Sequence, residues 1–396
     1  MQRRAFLKRT ALEAASGVVI AAPVYAQEAP AVSWRLASSF PNDSPTLFAG
    51  AEDVARYVSD VTDGKFRIEI FPAGDLVDAG QVLDAVQHRI VDCGHTASTR
   101  FFDTDPALCF DAGVPFGLNT RQMNAWMLQG EGLALTRVLF DKYGILNFPC
   151  GFTGAQMGGW FRGEVKTLDD LRGLKIKAGG FARQVLARMG AEPVDLPIAE
   201  TYAALEQGGV DAVAWIGPHD DESLALYKVA RNYYFPGWWA GTLQLSLYVN
   251  QTAHDELPKA YQAALGLASQ MASANMIAKY DAGNPDALRR LVQRGAQLKA
   301  FPKPMLQAAH EAALKLYQEL SAKDPMFKKL YESMTAFRDK DIPWFRVAEG
   351  GFDSLMADLA QPGGEGPAGC LDPAGVGARA GSPYTDRIRR AGRRKR

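Results

Sequence analysis

The chain has 396 residues, 47% of them hydrophobic and 22% charged, with a formal net charge of zero. This is an ordinary balance for a globular protein long enough for two domains. The zero conceals three regions: residues 1–26 carry a net +3, residues 361–396 a net +5, and the body between them −8. An acidic body argues against a nucleic-acid partner, because phosphate recognition needs a basic face.

In chain order, Arg3-Arg4-Ala5-Phe6-Leu7-Lys8 sets two adjacent arginines ahead of Phe-Leu-Lys, a twin-arginine export pattern. The apolar run over 14–22 ends at small residues before Gln27 and is far shorter than the roughly 20 residues of a membrane span. Residues 1–26 are therefore expected to be a cleaved address, leaving a body at 27–360 outside the cytoplasmic membrane, in the periplasm. Residues 34–37 predict a strand that stops at Ser38-Ser39-Phe40-Pro41-Asn42, and 45–61 a helix closed by the turn Asp63-Gly64. Phe66-Arg67-Ile68-Glu69-Ile70-Phe71 alternates as a half-buried strand does. A helix over 81–88 and a strand over 90–93 follow. This rhythm predicts an α/β domain with a mainly parallel sheet.

The rhythm restarts near Leu146. A strand over 174–177 leads through Gly179-Gly180 into a helix over 181–189, and 210–215 predicts a further strand ending at Gly217-Pro218. Two α/β lobes crossed more than once by the chain would hold a ligand cleft between them, at the carboxyl ends of strands. The expected division is roughly 30–150 with part of 240–360 in one lobe, and 151–240 with the rest in the other. From Pro258 the pattern changes to long C-terminal helices over 259–280, 285–294 and 303–320, separated by Asn284-Pro285 and Phe301-Pro302. Residues 361–396, rich in Gly, Pro and Arg, bury too little apolar area to offset their ordering entropy and are expected to be disordered.

Catalytic signals are missing from the pattern. Cys93, Cys109, Cys150 and Cys370 have no Cys-x-x-Cys spacing, and the five histidines have no His-x-x-x-His spacing, so a histidine metal site is not expected. Asp220-Asp221-Glu222 reads as the acidic first turn of a helix, with no nucleophile beside it. Ser38-Ser39 lacks a Gly-x-Ser-x-Gly elbow. A non-enzymatic binder is the reading, with a periplasmic enzyme as the alternative that twin-arginine export leaves open.

Longer motifs point to a family. Thr153-Gly154-Ala155-Gln156-Met157-Gly158-Gly159-Trp160-Phe161-Arg162, Ile216-Gly217-Pro218-His219-Asp220-Asp221-Glu222 and Tyr233-Tyr234-Phe235-Pro236-Gly237-Trp238-Trp239 stand in that order. So do Cys93-Gly94-His95-Thr96-Ala97 and Val114-Pro115-Phe116-Gly117-Leu118-Asn119. Over about 34–356 the chain resembles the periplasmic solute receptors of TRAP transporters, in the branch associated with 2-oxo acids and with "mannitol/chloroaromatic" uptake. The resemblance implies a two-lobed receptor that closes over a small organic acid and passes it to membrane permease subunits. It also implies that a swapped C-terminal helix can build a homodimer. Gln156 matches the family glutamine beside ligand and cation, Trp215 a tryptophan that follows a cation-binding glutamate, and Trp239 a residue just before a second acidic position.

The chain also departs from that family. Lys177 stands where the resemblance implies an arginine, Ala214 and Ala240 where it implies glutamates, and Phe152 where asparagine is usual. Lysine offers a point charge where arginine offers a planar fork, and two lost carboxylates remove hard ligands for Na⁺ or Ca²⁺. No cofactor or metal is therefore expected, with a Na⁺ or Ca²⁺ held by backbone oxygens and Gln156 as the disfavoured alternative. Lys177 is the candidate anchor for the ligand carboxylate and Gln156 its orienting group. Phe40, Phe152, Trp215 and Trp239 are the candidate apolar walls, with Thr96 in the lining segment. Arg100 is a candidate second cation, with a surface position as the alternative. A receptor diverted to a polyol or to sensing remains the second functional reading.

Overall fold

A computed structural model describes residues 29–360; the expected leader at 1–26 and tail at 361–396 lie outside the described residues. In chain order the strands are β1 (Val32–Ser38), β2 (Phe66–Phe71), β3 (Cys93–Thr96), β4 (Ile145–Phe152), β5 (Trp160–Phe161) and β6 (Lys175–Lys177). Then come β7 (Glu192–Val194), β8 (Ala212–Val213), β9 (Asn232–Phe235), β10 (Gln244–Asn250) and β11 (Gln297–Ala300). Among the described residues they form two sheets, ordered β2-β1-β3-β10-β4 and β11-β9-β5-β8-β6-β7.

Both sheets are mainly parallel, as expected, each with one strand running against the rest, β10 in the first and β5 in the second. β1 lies parallel to β2 and β3, and β6 parallel to β7 and β8. β10 runs antiparallel to β3 and β4, and β5 antiparallel to β8 and β9. The chain changes sheet three times, between β4 and β5, between β9 and β10 and, through a long helix, between β10 and β11; the antiparallel pairings involve strands at the first two crossings. At those two crossings the returning strand, β5 or β10, enters its sheet from the cleft end, against the direction of its neighbours, whereas β11 runs parallel to β9.

Local elements follow the sequence where local physics decides them. Phe66 and Ile68 are buried and Arg67 and Glu69 exposed in β2, the alternation of a half-buried strand. The helix Pro45–Val61 starts on its proline, where a missing N–H costs nothing. The strand expected over 90–93 begins at Cys93 instead. The amides of Ile90 and Val91 both donate to the Ala85 carbonyl, so those residues still close the turn after the helix Val82–Gln87.

The expected break at Asn284-Pro285 is also absent: one helix runs Lys259–Gln293, 35 residues and hence about 52 Å long. It packs against the helix Pro45–Val61 and β4 on the first lobe and against the helix Pro218–Leu224 on the second. The Asn284 side chain accepts a hydrogen bond from the His219 amide at 3.0 Å. Asp281 and Pro285 are exposed, so water reaches the side of the helix where proline withholds a donor.

The first lobe is centred on Trp34, Leu36, Val54, Phe66 and Leu247, the second on Trp160, Val213, Tyr233 and Leu291. The helices Lys303–Lys323 and Pro325–Val347 join them through a shared cluster that includes Phe110, Phe181, Tyr317 and Phe327. The last described helix, Glu349–Leu359, buries none of its residues and exposes Phe352, Leu355 and Leu359 beside exposed Trp344 and Val347. Cys93, Cys109 and Cys150 are buried free thiols. Among the described residues no helix is long and apolar enough to cross a membrane.

Candidate ligand-binding site

Four strand ends converge on one gap between the lobes. Phe40 follows β1, Arg100 follows β3, Lys177 ends β6 and Trp215 follows β8. Each of these strands has a parallel partner, and ligands in α/β sheets gather at such carboxyl ends. Two of the three connections between sheets supply the rest, Gln156 between β4 and β5 and Trp239 and Ala240 between β9 and β10. All of these residues line a cavity of about 630 Å³, the size of a small-molecule site. The expected strand over 210–215 is confined to Ala212–Val213, which frees Ala214 and Trp215 to face the cavity.

Close backbone approach holds the connections in place. The Gly237 amide donates to the Gln156 carbonyl at 2.9 Å, and a Cβ at Gly237 would meet that oxygen at 2.5 Å. Across the cleft, Gly180 (φ +53°) lies so near Thr99 that a Cβ would be 3.0 Å from its carbonyl oxygen. Phe102 meets Phe181 edge-on at 4.8 Å, and Arg183 pairs with Asp103 at 3.6 Å. These contacts join the segment carrying Arg100 to the helix that follows Lys177.

The electrostatics of the cavity centre on two cations. The Lys177 Nζ sits 4.6 Å from the centroid of the Trp215 ring, and the Arg100 guanidinium carbon 5.6 Å from that of Phe40, both within cation–π range. Neither side chain forms a hydrogen bond or an ion pair among the described residues. Burial lowers the Lys177 pKa to about 8, helped by the positive charge of Arg100 and opposed by Asp195. Arg100 keeps contact with the water of the cleft yet is walled by protein on its flanks, and this burial lowers its pKa while Asp195 pulls the other way. The Gln156 side chain, nearly buried, likewise has no hydrogen-bond partner among the described residues.

Two expected wall residues lie elsewhere. Thr96 is fully buried inside β3, where its hydroxyl shares a 2.6 Å hydrogen bond with Ser39. Phe152 ends β4 opposite Gln244 and packs into the shared core. Neither lines the cavity. Asp195, which does line it, went unread because Pro193 disguises the three-residue strand β7 whose carboxyl end carries it. Had Glu192–Val194 been read as a strand, the strand-end rule would have flagged Asp195.

A hard cation needs six or more oxygen ligands, several of them carboxylates. The carboxylates lining the cavity are Asp103, engaged by Arg183, and Asp195. Ala214 and Ala240 contribute only methyl groups, and among the described residues no cluster of three metal-ligating side chains exists. The donor set does not fit a carboxylate-caged ion.

Residues 37–324 match the family described as bacterial extracellular solute-binding protein, family 7. A monocarboxylate 2-oxoacid-binding periplasmic protein from Nostoc is 44% identical over 328 residues, 83% of this chain and 90% of the relative. The crystal structure of a TRAP transporter solute-binding protein from Bordetella bronchiseptica, a mixed-occupancy dimer with copurified calcium and picolinate, matches with 44% identity and a TM-score of 0.81. That match covers 84% of this chain and 98% of the other. A TRAP periplasmic solute-binding protein from Pseudoalteromonas atlantica with bound sodium and pyruvate matches at 34% identity and TM-score 0.79, covering 82% and 98%.

Proposed function

The chain belongs to the bacterial extracellular solute-binding proteins of family 7, the receptors of TRAP transporters, and from that membership we propose that it captures one small organic carboxylate and hands it, unchanged, to membrane permease subunits. The observation that carries this reading is the pair of partnerless cations, Arg100 and Lys177, facing one interlobe cavity beside the free amide of Gln156. Lys177 anchors the carboxylate, Arg100 supplies the second positive charge and Gln156 orients the ligand. Phe40, Trp215 and Trp239 form the apolar walls. The relatives take 2-oxo acids, pyruvate and picolinate; this chain takes a 2-oxo acid or a larger, more apolar acid. Binding needs no metal ion, because the lining residues neutralise the acid with side-chain cations instead.

The receptor acts in the periplasm after twin-arginine export. It also forms a homodimer, in which the exposed apolar face of Glu349–Leu359 is covered by a second copy. Light scattering checks this: truncation after Ala348 should convert a dimer into a monomer. The functional test is a thermal-shift screen with acids, polyols and aromatics, followed by recovery of the bound compound. A carboxylate recovered unchanged is expected. A chemical product would make the protein an enzyme, and stabilisation by polyols alone would make it a diverged receptor.

A further inference from the structure

Beneath the cavity floor lies a buried polar cluster centred on Asp111, at the end of the short 3-10 turn Pro106–Asp111. Three segments build the floor, and each turns a neighbouring side chain away from the cavity. Ala97, Thr99 and Arg100 line it while Ser98 is buried, Leu243 lines it while Gln244 is buried, and Gly113 lines it two residues after buried Asp111. The Asp111 carboxylate accepts from the Asn147 amide at 2.7 Å, the Gln244 amide at 3.3 Å and the Tyr248 hydroxyl at 3.5 Å. The Gln244 side chain also donates to the Asp111 backbone carbonyl at 2.6 Å, which ties two floor segments together. Both side-chain amides turn their nitrogens to Asp111. Their oxygens, Asn147 Oδ1 and Gln244 Oε1, are buried with no hydrogen-bond partner among the described residues. A half-turn of either amide exchanges donor for acceptor at the carboxyl.

The charged group facing Asp111 is Arg137, on the helix Gly132–Asp141. It forms no ion pair with Asp111 among the described residues and donates instead to the Asn147 carbonyl at 3.3 Å. β10 adds Tyr248 and β4 the Cys150 thiol, while the helix Pro325–Val347 meets the neighbouring Phe110 with Phe327. Arg100, close to Ser98 in the chain, faces the cavity. From this placement we infer that Asp111 is a proton site coupled to the cleft: an anion settling on the floor draws a solvent proton onto its carboxyl, and a turned Asn147 or Gln244 amide accepts the new O–H. The inference rests on the receptor reading, which puts an acid in the cavity, and adds a proton to what the protein binds. Two residues of chain span at most about 7 Å, so a ligand over Gly113 lies on the order of 10 Å from the Asp111 carboxyl. At that range a new negative charge changes a proton equilibrium about tenfold, for an effective dielectric constant of about 20. Burial already raises the Asp111 pKa to about 7, opposed by hydrogen bonds from Asn147, Ser246 and Tyr248 and by the charge of Arg137. An ionised Asp111 repels the acid from below and a neutral one does not, so acids bind best to the protonated form.

The test is calorimetric titration of the full chain with pyruvate and with benzoate, in pairs of buffers of different ionisation enthalpy, which counts the protons taken up. At pH 7 the wild type is expected to take up roughly half a proton per acid bound, about 0.1 of it on Lys177. Its affinity should fall about fourfold from pH 5.5 to pH 7.5. Asp111→Asn resembles the neutral form, so its uptake should drop to about 0.1 proton and its affinity should change less than about 1.5-fold over that range. Asn147→Ala deletes a donor to the ionised carboxylate and should move the uptake maximum to higher pH, a second reading should Asp111→Asn fail to fold. If the wild type takes up no more than about 0.1 proton, the coupling falls while the receptor reading stands. The same holds if Asp111→Asn keeps the wild-type uptake, or weakens both acids equally at every pH, or if Asn147→Ala leaves the maximum in place. If neither acid binds, the receptor reading and the inference fall together.

Discussion

Two pairs of like charges lie inside this body under opposite conditions. Asp220 and Asp221, on the helix Pro218–Leu224, are tied into the scaffold. The Tyr280 hydroxyl donates to Asp220 at 2.6 Å, and the Tyr233 hydroxyl and Trp160 indole donate to Asp221 at 2.7 and 2.9 Å. Arg100 and Lys177 have only aromatic faces and a cavity. Burial is costly for a charge in either place. The acids have answered it with protein donors and with raised pKa values, about 6 for Asp220 and about 7 for Asp221, burial being the main cause. The cations answer it with lowered pKa values but with no protein acceptor, as the proposed site requires before its ligand arrives. Partnered charge holds the fold; partnerless charge in a concave space awaits a counter-ion.

The comparison is broken most forcibly at the acids. Asp221→Ala leaves two buried donors, Tyr233 and Trp160, without their acceptor, at roughly 1–3 kcal/mol each. The variant should lose roughly 2–4 kcal/mol of stability, seen as a lower melting temperature. Asp221→Asn keeps an acceptor and should lose much less. The two also differ from wild type in pH dependence. Because the folded pKa of Asp221 is raised, the native state holds more protons than the unfolded state between pH 4 and 7. This carboxyl therefore contributes stability that is present at low pH and lost as pH rises through 7. Asp221→Asn should flatten that part of the curve; an unaltered slope would assign it to other groups.

At the cations the largest effect should fall on affinity rather than stability. Lys177→Met removes the proposed anchor, and a charged hydrogen bond of roughly 1.5–3 kcal/mol corresponds to about one to two decades in dissociation constant. The melting temperature of the ligand-free protein should hold or rise, since a partly buried, partnerless charge has been removed. An unchanged dissociation constant would exclude Lys177 as the anchor.

How this site was legible, and where it was not, follows from what each residue depends on. Phe40, Arg100, Gln156, Lys177, Trp215 and Trp239 could be chosen from motifs and strand ends, and all six line the cavity. Thr96 and Phe152 were chosen from segments that do approach it. A strand alternates its faces, however, and a three-residue shift in where β3 begins determines what is interior. The helix Lys259–Gln293 shows the same limit at larger scale. Asn284-Pro285 is a local stop signal, overridden by packing against both lobes that no local window contains. The one reversed strand in each sheet, β10 and β5, was hidden likewise, because periodicity does not record where a chain crosses between sheets.

The lowered pKa of Lys177 gives a smaller, two-sided effect. Burial is its main cause; Arg100 also repels the proton, and Asp195 attracts it. With a folded pKa near 8 and an unfolded value near 10.5, the unfolded state holds more protons between those pH values. Stability of the ligand-free protein should therefore rise across pH 8 to 10.5 as this penalty is relieved. Acid affinity should fall over the same window, by at most about tenfold per pH unit, because binding recruits the protonated amine. Titrations at pH 7, 8 and 9 test the sign. Lys177→Met should abolish both slopes together; if only one disappears, the affinity and stability effects come from different groups.

The smallest predicted effect is zero, and it is the most discriminating. Related structures bind pyruvate with sodium, or picolinate with calcium. Here the cavity wall places methyl groups at Ala214 and Ala240, and its one disengaged carboxylate is Asp195. An incoming Ca²⁺ would find one anionic ligand, where it prefers six to eight oxygens, and would share the cavity with Arg100 and Lys177. The ion would thus lose most of its hydration for too few donors while repelled by two fixed cations. In the proposed function those cations perform the task an ion would serve, neutralising the acid. Dissociation constants measured after exhaustive EDTA treatment in Na⁺-free buffer should match those measured with 1 mM-scale Ca²⁺ or with Na⁺, once ionic strength is equalised to hold screening constant. Affinity that vanished on ion removal and returned with either ion would mean that backbone carbonyls and Gln156 complete a metal site without carboxylates. The contrast between partnered acids and waiting cations would then have to include the ion.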